Sequence, residues 1–216
     1  MNYAAARHNM VENQIRTNRV TDPQLIAALD ALPRELFVPV AQQGLAYIDR
    51  TIPIGQGRSL MTPMTLARLL QLAAVQPEDV VLVVGAGTGY SAALLARLAS
   101  TVVALESDAS LSAHAAKALS ELEVDTVAWI EGALKAGHAA AAPYNVILID
   151  GAVEEIPAGL IAQLAEGGRL VTVVQTGTVG RATLVTRSGQ AVSSRVEFDT
   201  TAPALPGFER SKGFVF

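Results

Sequence analysis

The sequence contains no cysteine, which excludes disulfides, thiolate nucleophiles and cysteine-metal sites. Its three histidines, His8, His114 and His138, are scattered without ligand spacing, so no metal is expected. There is no basic run, and the formal net charge is −4. A phosphate-backbone partner would need the positive footprint that is missing, so no nucleic-acid partner is expected. No apolar stretch approaches the ~20 residues that span a bilayer, so no membrane partner is expected either. The segment from Met1 to Asn18 lacks the basic start, short apolar run and small-residue cleavage site of a signal peptide, and a cytoplasmic location is expected.

What is present is a chain of 216 residues, half of them apolar and 17% charged, enough to bury a full core as one compact unit. Two helices are expected in the first forty residues. One carries Met10 and Ile15; the other starts at Thr21-Asp22-Pro23 and stops at Pro33. AYIDRTIPIGQGRSLMT, residues 46–62, has little periodicity and holds Pro53, Gly55 and Gly57, which reads as an irregular ordered loop of the kind that carries function. Thr62 and Pro63 then open a helix with Leu66, Leu69, Leu70 and Ala73 on one face.

From residue 79 short apolar runs alternate with helical segments: DVVLVV, GYSAALLARLA, TVVALE, DASLSAHAAKALSEL, TVAWI, YNVILID, the helix IPAGLIAQLAE, and GRLVTVV. Runs that are apolar at every position suit strands covered on both faces. The expectation is a Rossmann-like, doubly wound α/β fold with a mostly parallel sheet. ATLVTRSGQAVSSRVEF, folded about Ser188-Gly189, adds antiparallel strands at the sheet's end. Residues 1–78 would then be an N-terminal helical extension with the active-site loop, and 79–216 the ligand-binding domain.

The strongest motif is VLVVGAGTGY, in which a buried strand runs through Gly85, Ala86, Gly87, Thr88 and Gly89 into a helix. Such a turn can bring backbone amides to a ligand at the carboxyl end of the strand, although a plain tight turn needs the same glycines. Tyr90 stands where a dinucleotide fingerprint has its third glycine, which disfavours NAD. The next strand ends at Glu106, where a carboxylate can accept from both hydroxyls of a ribose. Loop and carboxylate together point to an adenosine ligand.

With these segments in place, the sequence resembles the protein-L-isoaspartate O-methyltransferases from about Met10 to Leu170. The resemblance is carried by VTDPQLIAALDALPRELFVP, AYIDRTIPIGQG, VVGAGTGY, APYNVILIDGAVEEIP and LIAQLAEGGRLV. It implies a protein-repair transferase that takes a methyl group from S-adenosyl-L-methionine and places it on the carboxylate of isoaspartyl residues in damaged proteins. Gly85 to Gly89 and Glu106 would hold the methyl donor, while Ser59 and Arg58 would hold the substrate carboxylate.

Several positions depart from the family's pattern. Met61 stands where the family's pattern has a serine assigned to catalysis, Arg58 replaces a glutamine, and Val83 and Ala133 occupy two positions that carry acidic residues beside the cofactor. Two alternatives follow from these departures. One is a paralogue that binds S-adenosylmethionine without turnover; the other is a methyltransferase for a different nucleophile.

Overall fold

The computed structural model describes residues 1–210. Alternation within the apolar runs sets up its central sheet. Along β3 (Val80–Val84), Val81 and Val83 enter one apolar cluster while Leu82 and Val84 enter another on the opposite face. The strands beside it share this burial most fully, and the edge strands less. They are β4 (Thr101–Glu106), β5 (Val127–Glu131), β6 (Tyr144–Val153), β7 (Leu164–Thr176), β8 (Val179–Ser188) and β9 (Ala191–Asp199).

The seven strands lie in the order β5-β4-β3-β6-β7-β8-β9. The pairs from β5 to β7 are parallel, and β8 and β9 fold back as antiparallel hairpins. This is the expected Rossmann-like sheet with its antiparallel end, and the order reverses between β3 and β6. A crevice at the carboxyl ends of the strands forms at such a reversal.

The two faces are covered unequally. One cluster gathers the N-terminal helices α1 (Tyr3–Met10) and α2 (Pro23–Ala31), then α3 (Pro63–Ala73), α4 (Tyr90–Leu95) and α5 (Ala109–Glu121). Their starts follow the capping residues: Asp22 accepts from Gln24 N and Leu25 N, Thr62 from Thr65 N, and Asp108 from Ser110 N and Leu111 N. After α1 the helical path continues as a π-helical stretch, Val11–Ile15, which buries both Val11 and Ile15.

The other face has a single short helix, α6 (Ala158–Ile161), together with Leu134 and the returning C-terminal residues Leu205 and Phe208. Here the expected helix IPAGLIAQLAE is cut to four residues. Gln163 ends it by donating from Nε2 to Gly159 O at 3.0 Å and Ala136 O at 2.8 Å, and Leu164 already pairs with Tyr144 in the sheet.

The loop over residues 46–62 is also more regular than expected. It contains a two-stranded antiparallel hairpin, β1 (Ile52–Gly55) and β2 (Arg58–Leu60). The strands are short, yet Ile52 and Ile54 alternate with exposed Pro53 and Gly55, a pattern hidden by the proline and the glycines. The turn works because Gly55, Gln56 and Gly57 take φ of 100°, 54° and 69°.

Arg169 on β7 fastens the end of α3 to the sheet. Its Nε donates to Ala73 O at 2.8 Å, and Nη2 reaches Ala74 O at 3.1 Å and Asp79 Oδ2 at 2.5 Å. Asp79 is 3% exposed, so removing its partner strands a charge in a poorly solvated place. Arg169→Ala is expected to lower the free energy of unfolding by about 3 kcal/mol in urea titrations. A loss below about 1 kcal/mol would mean that solvent already screens the pair.

Candidate active site

The glycine turn lies at the carboxyl end of β3, beside the reversal in strand order. Gly85 and Gly87 have φ of 78° and 58°, which explains why residues with side chains are avoided there. The turn is closed on itself. Gly85 N and Ala86 N donate to Leu105 O at 2.9 and 3.1 Å, Gly87 N to Glu106 Oε2 at 2.7 Å, and Gly89 N to Ala86 O at 2.9 Å. Thr88 Oγ1 donates to Phe37 O at 2.5 Å. All residues from Gly85 to Gly89 are buried.

Glu106, at the end of β4, lies next to this turn as the sequence predicts, but it is fully buried and already engaged. Besides Gly87 N, it accepts from Ser107 N at 2.7 Å and Asp108 N at 3.2 Å. Arg58 Nη1 stands 2.9 and 3.1 Å from its two oxygens, and Arg58 Nη2 donates to Gly85 O at 2.8 Å. A carboxylate offers about four lone-pair sites, and these donors use them. The expected role of Arg58 as a holder of substrate carboxylate is therefore corrected. Its guanidinium is spent on Glu106 and Gly85, because it reaches inward from β2 and is only 7% exposed.

Apolar side chains fill the rest. A methyl group on Gly85 would come within 2.7 Å of Leu205 Cδ1, and one on Gly87 within 2.9 Å of Ile54 Cδ1. Leu205 is held by backbone bonds along β6, Ala152 N to Pro203 O at 2.7 Å and Leu205 N to Ala152 O at 2.8 Å. As folded, Arg58, Leu205 and Ile54 lie against the turn and the carboxylate, so an adenosine entering here would have to displace them.

The remaining candidates spread around this centre. Ser59 follows Arg58 on β2 and is partly exposed. Met61 is 1% exposed, its side chain packed into the core cluster. Ala133 is exposed after β5, whose Glu131 pairs with Glu106 in the sheet register. Val83 points into the core beneath the turn.

Two further residues belong here that the sequence reading did not select. Arg34 is fully buried, donates from Nη2 to Met61 O at 2.6 Å, and stacks 4.5 Å from the Tyr90 ring centre, so it fixes the active-site loop from below. Its only signal was a charge inside the apolar stretch ALPRELFVPV. Asp150 interrupts the buried run of β6 with a carboxylate, and a charge inside the apolar run YNVILID could have found it. Burial raises the Asp150 pKa, while the Ser91 hydroxyl bonded to it and the charges of Arg58 and Arg34 pull it down by less.

Because the folded pKa lies above the unfolded one, the ionised form costs stability at neutral pH, and the cost disappears as pH falls toward the unfolded value. Asp150→Asn is thus expected to stabilise the protein at pH 7, with the advantage shrinking as the acid is protonated. Thermal unfolding of both proteins across pH checks this. A variant less stable than wild type at pH 7 would contradict it.

Comparison with known proteins places this arrangement. The family model described as "Protein-L-isoaspartate(D-aspartate) O-methyltransferase (PCMT)" matches residues 5–201. A protein-L-isoaspartate O-methyltransferase of Vibrio cholerae is 37% identical over 188 residues, covering 87% of this chain and 90% of its own. One from Methylorubrum extorquens is 42% identical over 189 residues, covering 87% and 82%. Among solved structures, a protein-L-isoaspartate O-methyltransferase superposes with a TM-score of 0.80 at 22% identity, over 93% of this chain and 66% of its own. A Plasmodium falciparum protein described as a putative member, in complex with S-adenosyl-L-homocysteine, gives 0.79 at 18% identity, over 95% and 98%. At such identities the two structures speak for the fold, and the sequence matches for the family. The chain belongs to the protein-L-isoaspartate(D-aspartate) O-methyltransferase family, whose members are S-adenosylmethionine-dependent methyltransferases.

Proposed function

We propose that this chain methylates the free carboxylate of isoaspartyl residues in damaged proteins, with S-adenosyl-L-methionine as methyl donor, in the cytoplasm. The observation that carries the reading is the juxtaposition at the end of β3. The glycine turn and Glu106 form one wall, and the β1–β2 hairpin reaches over it with Arg58 and Ile54. Residues 1–78 supply that acceptor side and 79–216 the donor side. Among the described residues no helix is long and apolar enough to cross a membrane, and no cluster of His, Asp and Glu could hold a metal ion.

A carboxylate acceptor, with a reference pKa near 4, is ionised at neutral pH and requires no general base. The protein has to position it and keep water away. Ser59, at the rim of the loop, is the hydroxyl that remains available for this. Met61 offers no donor, and its burial ties it to packing. A second reading, a paralogue that no longer turns over, is favoured by the way Arg58 fills the carboxylate site of Glu106.

The test is transfer of labelled methyl from S-adenosylmethionine to an isoaspartyl peptide, recovered as a base-labile ester, with the aspartyl peptide as control. Wild type is expected to label the isoaspartyl peptide alone. Ser59→Ala is expected to cost roughly tenfold in kcat/KM, about 1.4 kcal/mol of steering. Met61→Ser is expected to lower stability by about 2–3 kcal/mol because a buried thioether is lost, and to leave the methylation rate within a few-fold of wild type because its hydroxyl would lie in the core. No ester with wild type would sink the substrate assignment.

A further inference from the structure

Three side chains converge on the glycine turn from outside the ligand-binding strands. The β1–β2 hairpin brings Ile54 and Arg58, and the segment after β9 brings Leu205. The Arg58 contacts are directional and desolvated: both oxygens of Glu106 lie within 3.1 Å of Nη1, and Gly85 O lies 2.8 Å from Nη2. A ribose that used the Glu106 carboxylate would need the same oxygens. It would also need the space now held by Leu205 Cδ1 and Ile54 Cδ1.

Apolar burial of Ile52, Ile54 and Leu60 seats the hairpin on the core, and among the described residues Arg58 is its one charged contact underneath. Its tip, Gly55 to Gly57, is exposed, and the contact there is one hydrogen bond from Gln56 Nε2 to Ser110 Oγ at 3.3 Å. A two-stranded hairpin is marginal by itself, so its position depends on what its side chains bind underneath. Ile54 gives burial without direction; Arg58 gives the direction.

We propose that Arg58 is an internal latch: it occupies the ribose position on Glu106, holds the β1–β2 hairpin shut over the glycine turn, and must be displaced for a nucleoside ligand to enter. The proposal rests on the reading above that the chain takes S-adenosylmethionine in this crevice. Opening needs rotation of the arginine side chain and a lift of the hairpin, with the sheet unchanged. The three backbone donors of Gly87, Ser107 and Asp108 stay on Glu106 and keep it oriented for the incoming hydroxyls. Affinity is then reduced by the fraction of molecules that are open, and any event that draws Arg58 away tightens binding by the same factor.

The test is titration with S-adenosyl-L-homocysteine by calorimetry, joined to stopped-flow fluorescence. Trp129, the chain's one tryptophan, serves as reporter, since its ring carbon Cζ3 lies 3.6 Å from where a Gly89 Cβ would be. Arg58→Gln is expected to bind about ten- to a hundredfold more tightly than wild type, matching an open fraction of about one-tenth to one-hundredth. Its association rate should rise linearly with ligand, whereas the wild-type rate levels off at the rate of opening. Adding Glu106→Gln to Arg58→Gln should remove the gain. Should Arg58→Gln fail to fold, Leu205→Ala and Arg58→Lys replace it, each expected to tighten binding less than tenfold but measurably.

Equal affinities for wild type and the folded variants, with linear rates throughout, would overturn the latch and leave the cofactor reading standing. Absence of binding to every folded variant at millimolar ligand would overturn the cofactor reading, and the latch with it.

Discussion

A buried arginine–glutamate pair organises the mouth of this crevice. Taking both charges out of water is costly, and the pair is tolerable only because each member is surrounded by further partners: three backbone amides on Glu106, and a turn carbonyl on Arg58. These partners exist because β3 and β4 end side by side in register, with Val84 opposite Leu105, so that the turn after one strand meets the carboxylate at the end of the other. The same pair ties a short hairpin, far away in sequence, to the buried centre of the sheet.

The distribution of helices around the sheet supports this arrangement. Five helices crowd one face and bury the N-terminal extension into the same apolar cluster as the strands. The other face is covered thinly, by α6 and by the returning C-terminal segment that carries Leu205 and Phe208. That segment is bonded to the end of β6 and lies across the crevice. The crevice is therefore roofed by pieces from both ends of the chain and floored by the parallel strands. Arg34 completes the support from the helical side, since its bond to Met61 O fixes the stretch between the hairpin and α3. A charged residue with no exposure, stacked on Tyr90, is suited to hold backbone in place and unsuited to meet a peptide.

Family membership and a closed crevice are compatible. Relatives share the sequence from the first helices to the last strand, and the fold superposes over nearly the whole chain. What distinguishes this chain is local. Arg58 brings a guanidinium to the end of β3, where it pairs with Glu106 and the Gly85 carbonyl.

Much of this was legible in the linear sequence. Strands, helices and the glycine turn depend on neighbours a few residues apart: alternation in β3, the caps at Asp22, Thr62 and Asp108, and Gly85 and Gly87 where a left-handed backbone is required. Glu106 was found because a charge at the end of an apolar strand is a local pattern. The hairpin in residues 52–60 escaped because its alternation is only a few residues long and broken by Pro53, and α6 was overestimated because pairing of Leu164 with Tyr144 overrode its helical periodicity. By itself the sequence determined the order of elements, the family and the place of the glycine turn. Only the tertiary structure decided that Arg58 faces Glu106, that Leu205 caps Gly85 and that Arg34 holds Met61. Each of those contacts joins residues that local spacing does not relate, so the partner of a buried charge emerges only once the sheet has brought the strand ends together.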